Sequence, residues 1–358
     1  YVVEALARCG VGSLTLVDHK DIVQSDINRQ LYAGQSTVGR KKVQTAKEHI
    51  RDIDENILVH TYETYYNEET AGMFDLQSFD YIVDAIDLVS CKIDLIETAR
   101  MPLVLVGGGV IRSKGAVPEF RRFVERLGAP VASTIMGGGA CPGNHRLFTG
   151  MIGMHGSHAS NLASDQCDLL IAVGCRFSDR VATDPATFAP NAKIVHIDID
   201  RAEIDKNVRT DHHIIGDARR VLELLNERLP QHAYPTWKEW VFSHSEVPLK
   251  RDDILHPHEI LETVQDVTDG DAIIVTDVGQ HQMWCAQYYH FSRPGQFITS
   301  GGFGTMGFGL GAAMGAAVGN PGKVVVHCTG DGCFRMNCHE LCTEEHYGIP
   351  VITVIFNN

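Results

Sequence analysis

Short apolar runs alternate with stretches of helical spacing along most of the chain. Ser13–Val17, Pro102–Val106 and Leu169–Val173 have the length and the Val, Leu and Ile content of buried strands. Each run ends in a polar or glycine-rich turn, and a helical stretch follows. This order predicts an α/β fold with parallel sheets. The remaining predicted strands are Ile57–Thr61, Tyr81–Asp84, Pro130–Thr134, Lys193–Ile199, Ala272–Thr276, Lys323–His327 and Val351–Phe356.

The pattern restarts twice, which predicts three consecutive α/β units. Helices are expected over Val2–Ala7 and near Lys41–Arg51 in the first unit. A polar and aromatic stretch without a clear period predicts a linker or covering segment. The predicted organisation is a first unit over residues 1–100, a second over 101–230, a linker over 231–255 and a third unit over 256–358.

Composition indicates a globular protein that does not bind nucleic acid or an anionic membrane. The 358 residues include 31 Lys plus Arg and 45 Asp plus Glu, for a formal net charge of −14. An acidic chain without a basic stripe binds such partners poorly. The uncharged stretch Pro294–Asn320 is rich in Gly and Ala rather than Leu, Ile and Val. We therefore expect tight turns and a closely packed helix there, not a membrane span.

Ten cysteines are scattered along the chain, and none forms a Cys-x-x-Cys pair. This usage is typical of a reducing compartment, so free thiols and a cytoplasmic location are expected. Cys338, Cys342 and His346 follow each other at helical spacing. That spacing is compatible with a metal site, but packing in the core is the favoured interpretation, because Cys is often buried.

Polar residues in the first unit stand where a nucleotide-binding sheet needs them. Asp18 follows a strand, where a carboxylate can hydrogen-bond a ribose. Arg29 and Lys42 lie in two loops with cationic side chains, and Asp87 lies just after another strand. Each feature alone is more simply a solvated loop charge.

Their order together resembles the ThiF and MoeB adenylyltransferases, nearest to the tRNA threonylcarbamoyladenosine dehydratase branch. The resemblance implies that Asp18 contacts the ribose of ATP, that Arg29 and Lys42 contact phosphates, and that Asp87 helps to place magnesium. Asp26 stands where that family usually has Asn. The family's glycine-rich nucleotide loop belongs before Tyr1, so we expect no use of ATP.

Glycine-rich motifs follow the predicted strands of the second unit. They are residues 134–139, 150–156 and 174–180, together with the acidic strand end at 196–200. Any one of them is more simply an ordinary turn. All four in this order resemble the FAD-binding central domain of acetolactate synthases. The resemblance implies that Arg180 receives the substrate carboxylate. It also implies flavin contacts from Gly107, Gly108, Thr134, Met136, Gly153, His155, Arg176, Asp198 and Asp217.

The third unit combines a Gly330-Asp331-Gly332 turn with paired asparagines at 357 and 358. Asp331 and Asn358 offer oxygen ligands from the ends of two strands, as a hard dication such as Mg²⁺ prefers. This spacing resembles the thiamine-diphosphate enzymes, and Gln-His-Gln-Met-Trp at 280–284 points to the acetolactate synthase type. The implied thiamine-diphosphate contacts are Gly279, Gln280, His281, Gly304, Met306, Gly332 and Cys333. Of these, Cys333 replaces the usual small hydroxyl residue, and Met306 is the implied wedge under the cofactor.

By these resemblances the first and third units are incomplete. The implied activity is that of acetolactate synthase, a thiamine-diphosphate- and magnesium-dependent carboligase of branched-chain amino acid synthesis. It decarboxylates pyruvate and joins it to a second 2-oxo acid. The family forms homodimers or larger assemblies with a regulatory subunit. The family's catalytic glutamate belongs to a pyrimidine domain, whose place residues 1–100 take.

We therefore expect an inactive chain that binds FAD weakly and thiamine diphosphate poorly. Two alternatives stay open: an ATP-dependent adenylyltransferase or dehydratase of the ThiF type, and a non-catalytic chimeric fragment joined at Arg100–Met101.

Overall fold

The chain forms two compact units, Tyr1–Ile86 and Asp87–Asn358, which we treat separately. Predicted strand Tyr81–Asp84 and the candidate residues Arg29, Asp87 and Asn358 lie outside the part of the chain described below. The computed structural model describes residues 2–28, 30–66, 70, 72–75, 78–80, 96, 98–244 and 248–357.

The first unit contains two parallel strands covered by helices. Strands β1 and β2 pair in parallel, with Leu14 opposite Val59. The core between these strands and the two helices is made of aliphatic side chains, among them Ala7 and Ile50. The elements are α1 (Val2–Arg8), β1 (Ser13–Val17), α2 (Lys42–Ile53) and β2 (Leu58–Tyr62).

The second unit begins with a six-stranded sheet in the order β5-β4-β3-β6-β7-β8, in which every pair is parallel. Its strands are β3 (Pro102–Val106), β4 (Val131–Ser133), β5 (Phe148–Met151), β6 (Leu169–Val173), β7 (Lys193–Asp198) and β8 (His212–Ile215). Its helices are α3 (Gly108–Arg112), α4 (Ala116–Leu127), α5 (His158–Gln166), α6 (Ala218–Arg228) and α7 (Pro235–Ser243).

Helices cover both faces of this sheet, which explains why its central strands are continuously apolar. All five residues of β3 are buried. Successive side chains of a strand point to opposite faces, so Val104 packs with Phe120 of α4, whereas Leu103 packs in the cluster that contains Trp237 of α7. The predicted linker 231–255 thus contains a helix that covers the sheet, and Trp237 Nε1 donates to the carbonyl of Pro102 at 2.9 Å.

A four-stranded parallel sheet follows, in the order β10-β9-β11-β12. Its strands are β9 (Ile273–Thr276), β10 (Phe297–Thr299), β11 (Val325–Gly330) and β12 (Ile352–Phe356). Its helices are α8 (Pro257–Val267), α9 (Gln280–Tyr288), α10 (Gly309–Gly319), α11 (Asp331–Asn337) and α12 (Leu341–Tyr347).

The predicted parallel α/β class is confirmed by these sheets. Predicted strands Ser13–Val17, Pro102–Val106 and Leu169–Val173 have the observed bounds. Predicted strand Lys323–His327 is displaced, since β11 begins at Val325 and continues to Gly330. The sequence analysis missed three strands: β5, β8 and β10.

The uncharged stretch 294–320 forms β10, a glycine loop and α10, and no helix in the described ranges is long and apolar enough to cross a membrane. The expected core packing of Cys338 and Cys342 is wrong, because both are exposed and free. Both lie in short helical segments without a buried residue, so helical spacing alone did not identify a buried face. No group of three or more metal-binding side chains is present among the described residues.

Replacement of Gly107 and of Gly311 by alanine should have opposite effects on the free energy of unfolding. A Cβ on Gly107 would lie 2.1 Å from the carbonyl oxygen of Gly174, whereas one on Gly311 would meet no atom within 4 Å. We expect Gly107→Ala to lower the free energy of unfolding by about 1–3 kcal/mol, as overpacking does. Gly311→Ala, at an exposed position within α10, should raise it by about 0.5–1 kcal/mol. Urea unfolding of both variants measures this, and equal effects would contradict it.

Candidate cofactor sites

Three segments predicted to hold thiamine diphosphate converge at the carboxyl ends of β9 and β11. A Cβ on Gly304 would lie 3.7 Å from Cγ1 of Val278, and one on Gly330 would lie 3.0 Å from Nδ1 of His281. The thiol of Cys333 donates to the carbonyl of Val278 at 3.4 Å. The segments around Gly279, Gly304 and Gly332 therefore lie side by side, although 53 residues of sequence separate the first from the last.

The site has features that fit a diphosphate and a hard cation. Buried His281 has an Nε2 atom without a hydrogen-bond partner within the described ranges. A Cβ on Gly302 or Gly332 would meet no atom within 4 Å, so space is open above both. Asp331 is exposed at the start of α11, so its carboxylate oxygens are accessible to a cation. Its predicted partner ligand Asn358 lies outside the described residues.

The remaining predicted contacts differ in their accessibility. Gly279 precedes α9, and Gln280 is the first residue of that helix. Gly304 has a left-handed backbone with φ +66°, and Met306 in the same loop is 47% exposed. In contrast, Cys333 is buried, and burial raises the pKa of its thiol. The structure therefore places Cys333 beneath the loop, bonded to Val278, rather than on the open surface.

A buried carboxylate that the sequence analysis passed over lies under these segments. Asp277 follows β9 and is 1% exposed. Its Oδ1 accepts from the Gly309 amide at 2.8 Å, and its Oδ2 accepts from Thr329 Oγ1 at 2.7 Å and from His327 Nε2 at 3.0 Å. Burial alone would raise the pKa of Asp277, but these hydrogen bonds outweigh burial and hold the pKa below its usual value. One sequence signal was available for this contact: the polar residue Thr329 lies within the buried run of β11.

The predicted flavin residues lie along the carboxyl edge of the six-stranded sheet. The chain runs from β3 outward through β4 and β5, then returns to β6 and continues to β7 and β8. The switch point therefore lies between β3 and β6, where parallel α/β sheets bind ligands. The predicted residues that directly follow or end strands of this sheet are Gly107, Thr134 and Asp198, with Gly108, Met136, Arg176 and Asp217 close behind.

Close backbone packing accounts for two glycines at this edge. The Gly107 amide donates to Val173 at 2.9 Å, and a Cβ there would overlap the Gly174 carbonyl. A Cβ on Gly137 would lie 2.3 Å from the carbonyl oxygen of Val106. Glycine at both positions thus permits the turns to meet, independently of any ligand. A Cβ on Gly108 would lie 3.1 Å from Cβ of Met136, so these two predicted flavin residues are neighbours.

Acidic residues at the far strands already have backbone partners. Asp198 Oδ1 accepts from the amide of Asp200 at 2.9 Å. Asp217 caps α6 and accepts from Ser113 Oγ at 2.8 Å. Each carboxylate is therefore fixed in place by its neighbours, as a ribose-binding group requires. Arg176, in contrast, has an exposed side chain.

The loop that carries Gly153 and His155 connects the two sheets of this unit. Met154 donates its amide to the carbonyl of Arg180 at 2.9 Å, and a Cβ on Gly153 would overlap that same carbonyl. Gln287 of α9 donates to the carbonyl of His155 at 2.7 Å. The guanidinium of Arg180 is exposed and lies 3.5 Å from Sδ of Met154. The Arg180 side chain is thus accessible to solvent beside this loop.

Two cavities border this region. One of about 200 Å³ lies between the sheets and is lined by Thr134, Gly138 and Phe291, among others. Another of about 310 Å³ includes Gly153, Met154 and Asn161 in its lining. Each cavity borders one predicted flavin residue, while Asp198 and Asp217 line neither.

In the first unit, Lys42, one of the two cations predicted to contact phosphate, already has an ion-pair partner. Lys42 Nζ lies 3.1 Å from Oδ2 of Asp26, whose side chain is fully buried. Asp18 Oδ1 accepts from the amide of Lys20 at 2.8 Å. A phosphate would have to compete with the Asp26 carboxylate for Lys42. This competition is unfavourable, because breaking a buried ion pair costs free energy.

Comparisons with known proteins assign families to separate parts of the chain. The family described as "Thiamine pyrophosphate enzyme, central domain" matches residues 89–225, and "Thiamine pyrophosphate enzyme, C-terminal TPP binding domain" matches residues 277–358. Residues 89–225 and 277–358 belong to the thiamine pyrophosphate enzyme family. The ThiF family matches residues 1–129. The ThiF match overlaps the central domain at 89–129, where β3 pairs with β4 and β6 of the thiamine pyrophosphate enzyme sheet.

The relatives are named as acetolactate synthases. A probable acetolactate synthase large subunit of Methanococcus aeolicus is 44% identical over 74% of this chain and 48% of its own length. An acetolactate synthase large subunit of Lactococcus lactis is 44% identical, over 74% and 46%. Acetolactate synthase 2, chloroplastic, of Nicotiana tabacum is 46% identical, over 74% and 41%. The chain thus spans less than half the length of these relatives.

Buried histidines in the thiamine pyrophosphate enzyme domains should make unfolding depend on pH. Burial lowers the pKa of His196 and of His281. As the pH falls, each therefore takes up its proton less readily in the folded than in the unfolded protein. Stability is fully present above the ordinary histidine pKa of about 6.5 and falls as the pH drops through it. We expect the free energy of unfolding to decrease between about pH 8 and about pH 5.

Urea unfolding across this range measures the effect. His281→Asn should flatten the decrease, whereas His339→Asn, at a 70% exposed side chain, should leave it unchanged. An equal slope in wild type and His281→Asn would contradict the prediction.

Proposed function

We propose that residues 101–358 form the FAD- and thiamine-diphosphate-binding part of an acetolactate synthase-type carboligase. Such an enzyme decarboxylates pyruvate and joins the product to a second 2-oxo acid. The observation that carries the proposal is the meeting of the segments at Gly279, Gly304 and Asp331 at one edge of a parallel sheet. The names of the relatives support it at the level of the enzyme type.

Within this proposal, each group of the chain has a stated task. Asp331, with Asn358, supplies oxygen ligands to Mg²⁺. His281 Nε2, which has no hydrogen-bond partner among the described residues, and the amides near Gly332 would bind the diphosphate, and Met306 would support the ring system. Thiamine diphosphate supplies the group that bonds to the 2-oxo acid and accepts its electrons. Arg180 orients the substrate through its carboxylate, since its guanidinium is exposed beside the Gly153 loop.

Location and partners follow from the same reasoning. The nine described cysteines are free, which supports a reducing cytoplasm. Several relatives are named large subunits. We therefore include self-association and a regulatory subunit in the proposal.

Magnesium-dependent binding of thiamine diphosphate tests the first cofactor site. We expect the ligand and Mg²⁺ together, at millimolar concentration, to raise the midpoint of thermal unfolding, because a ligand of the folded state stabilises it. Binding should be weaker than micromolar. Asp331→Ala should abolish the rise. Asp253→Ala removes an equally exposed carboxylate outside the site and should retain it. A rise that is equal in Asp331→Ala, or is independent of Mg²⁺, would contradict the assignment.

Flavin binding tests the central sheet edge. Arg176 has an exposed side chain just beyond β6, so its removal should not disturb the fold. We expect Arg176→Ala to weaken FAD binding about tenfold, as loss of a hydrogen bond to a charged group does. Arg228 serves as the control. It is exposed at the carboxyl end of α6, whereas the predicted flavin residue Asp217 caps the amino end of that helix. Quenching of flavin fluorescence should therefore give wild-type affinity for Arg228→Ala, and equal affinities for all three proteins would argue against this site.

A further inference from the structure

We propose that Asp277 is a positioning residue whose buried carboxylate holds the three thiamine-diphosphate segments in one arrangement. The inference rests on the proposed function for the identity of the ligand. The arrangement itself depends only on contacts within this chain. It adds a residue that does not touch the cofactor and acts through the residues that do.

The carboxylate joins three separate stretches of chain. Asp277 directly follows β9 and immediately precedes Val278 and Gly279. Gly309, which donates its amide to Oδ1, immediately follows the loop that carries Gly304 and Met306. Thr329, which donates its hydroxyl to Oδ2, lies two residues before Asp331. The Asp277 side chain thus bonds to, or adjoins, one end of each predicted cofactor segment.

His327 completes the arrangement from the interior of β11. Its Nε2 donates to Oδ2 of Asp277 at 3.0 Å, and its Nδ1 lies 3.5 Å from Thr353 Oγ1 on β12. His327 has no exposed side-chain surface. The carboxylate therefore has hydrogen-bond donors on both oxygens, and none of the three comes from water.

The start of α10 packs tightly against the Asp277–His327 pair. A Cβ on Gly309 would lie 2.4 Å from Nε2 of His327 and 2.7 Å from Oδ2 of Asp277. Helix α10 therefore starts directly against the pair. An amide in place of the carboxylate would turn an NH2 group toward at least one of the donors. A buried donor without an acceptor is costly, so the segments should separate rather than keep the contact.

If Asp277 only filled space in the core, its replacement would have a different effect on the three segments. Loss of core packing would loosen the unit as a whole, whereas loss of a shared anchor should loosen three specific segments together. Ser160→Ala provides a control loss of a buried hydrogen bond, since Ser160 of α5 bonds Thr149 of β5 at 2.7 Å, beside the other sheet of the same unit.

Amide hydrogen exchange of the full chain without cofactor is the deciding measurement. In Asp277→Asn we expect exchange about tenfold faster at 278–288, 301–309 and 331–337 together, as expected for loss of a charged hydrogen bond. Ser160→Ala should leave these segments unchanged. Faster exchange in only one of them, or the same pattern in Ser160→Ala, would overturn the proposal.

Two further variants keep the test decisive if Asp277→Asn does not fold. Thr329→Ser keeps the hydroxyl donor and should retain wild-type exchange, whereas Thr329→Val should accelerate exchange at the same three segments. Wild-type exchange in Thr329→Val would overturn the proposal.

Binding of thiamine diphosphate with Mg²⁺ then separates this inference from the proposed function. If wild type binds, Asp277→Asn should bind about tenfold more weakly, and equal binding would overturn the positioning role. If wild type does not bind, the proposed function fails, while hydrogen exchange still decides whether Asp277 anchors the three segments.

Discussion

Parallel strand pairing is the constraint on which both candidate sites depend. In a parallel sheet every strand ends at the same edge, so the turns that follow the strands meet there regardless of their separation in sequence. Gly279 follows β9 and Asp331 follows β11, which are neighbours in one sheet. Gly107 and Gly174 follow β3 and β6, which are neighbours in the other. The same topology therefore assembles two clusters of turn residues in the second unit.

Assembly at an edge still requires that the turns fit against each other. Glycine meets this requirement where the backbones touch, as at Gly107 and Gly137. At Gly309 the requirement is different, because the space that a Cβ would take is filled by His327 and Asp277. Glycine is thus required for two separable reasons in these motifs: close backbone approach at Gly107 and Gly137, and space filled by buried side chains at Gly309.

Buried strands were predictable from sequence because continuous burial leaves a continuous apolar run. β3 and β6 are buried at every position, and their predicted bounds were right. β8 was missed because it lies at the sheet edge with alternating exposure and contains two histidines. The helix with Trp237 was missed because its short sequence lacks a clear period. Cys338 and Cys342 were wrongly predicted to be buried, because helical spacing identifies one face of a helix but not whether that face packs against another element.

Candidate site residues were predictable to the extent that they stand in turns with a recognisable order. Gly279, Gly304 and Asp331 could be named together, and the structure brings their segments together. Their anchor could not be recognised in this way, because Asp277 and Thr329 meet only through tertiary pairing of β9 with β11. Asp26 shows the same limit in the first unit. Its sequence position marks a departure from a family, but its effect, a buried pair with Lys42, exists only in the folded chain.

The two sites of the second unit are also joined physically, which neither sequence motif indicates. Met136, a predicted flavin residue, lies so close to Gly301 that a Cβ there would come within 2.1 Å of its sulfur. On the other side of the same region, Gln287 of α9 bonds the carbonyl of His155. Arg121 extends the junction by donating to the carbonyl of Ser292 at 2.9 Å. Since the glycine loop and α9 both carry predicted thiamine-diphosphate residues, the two candidate sites share direct contacts within one unit.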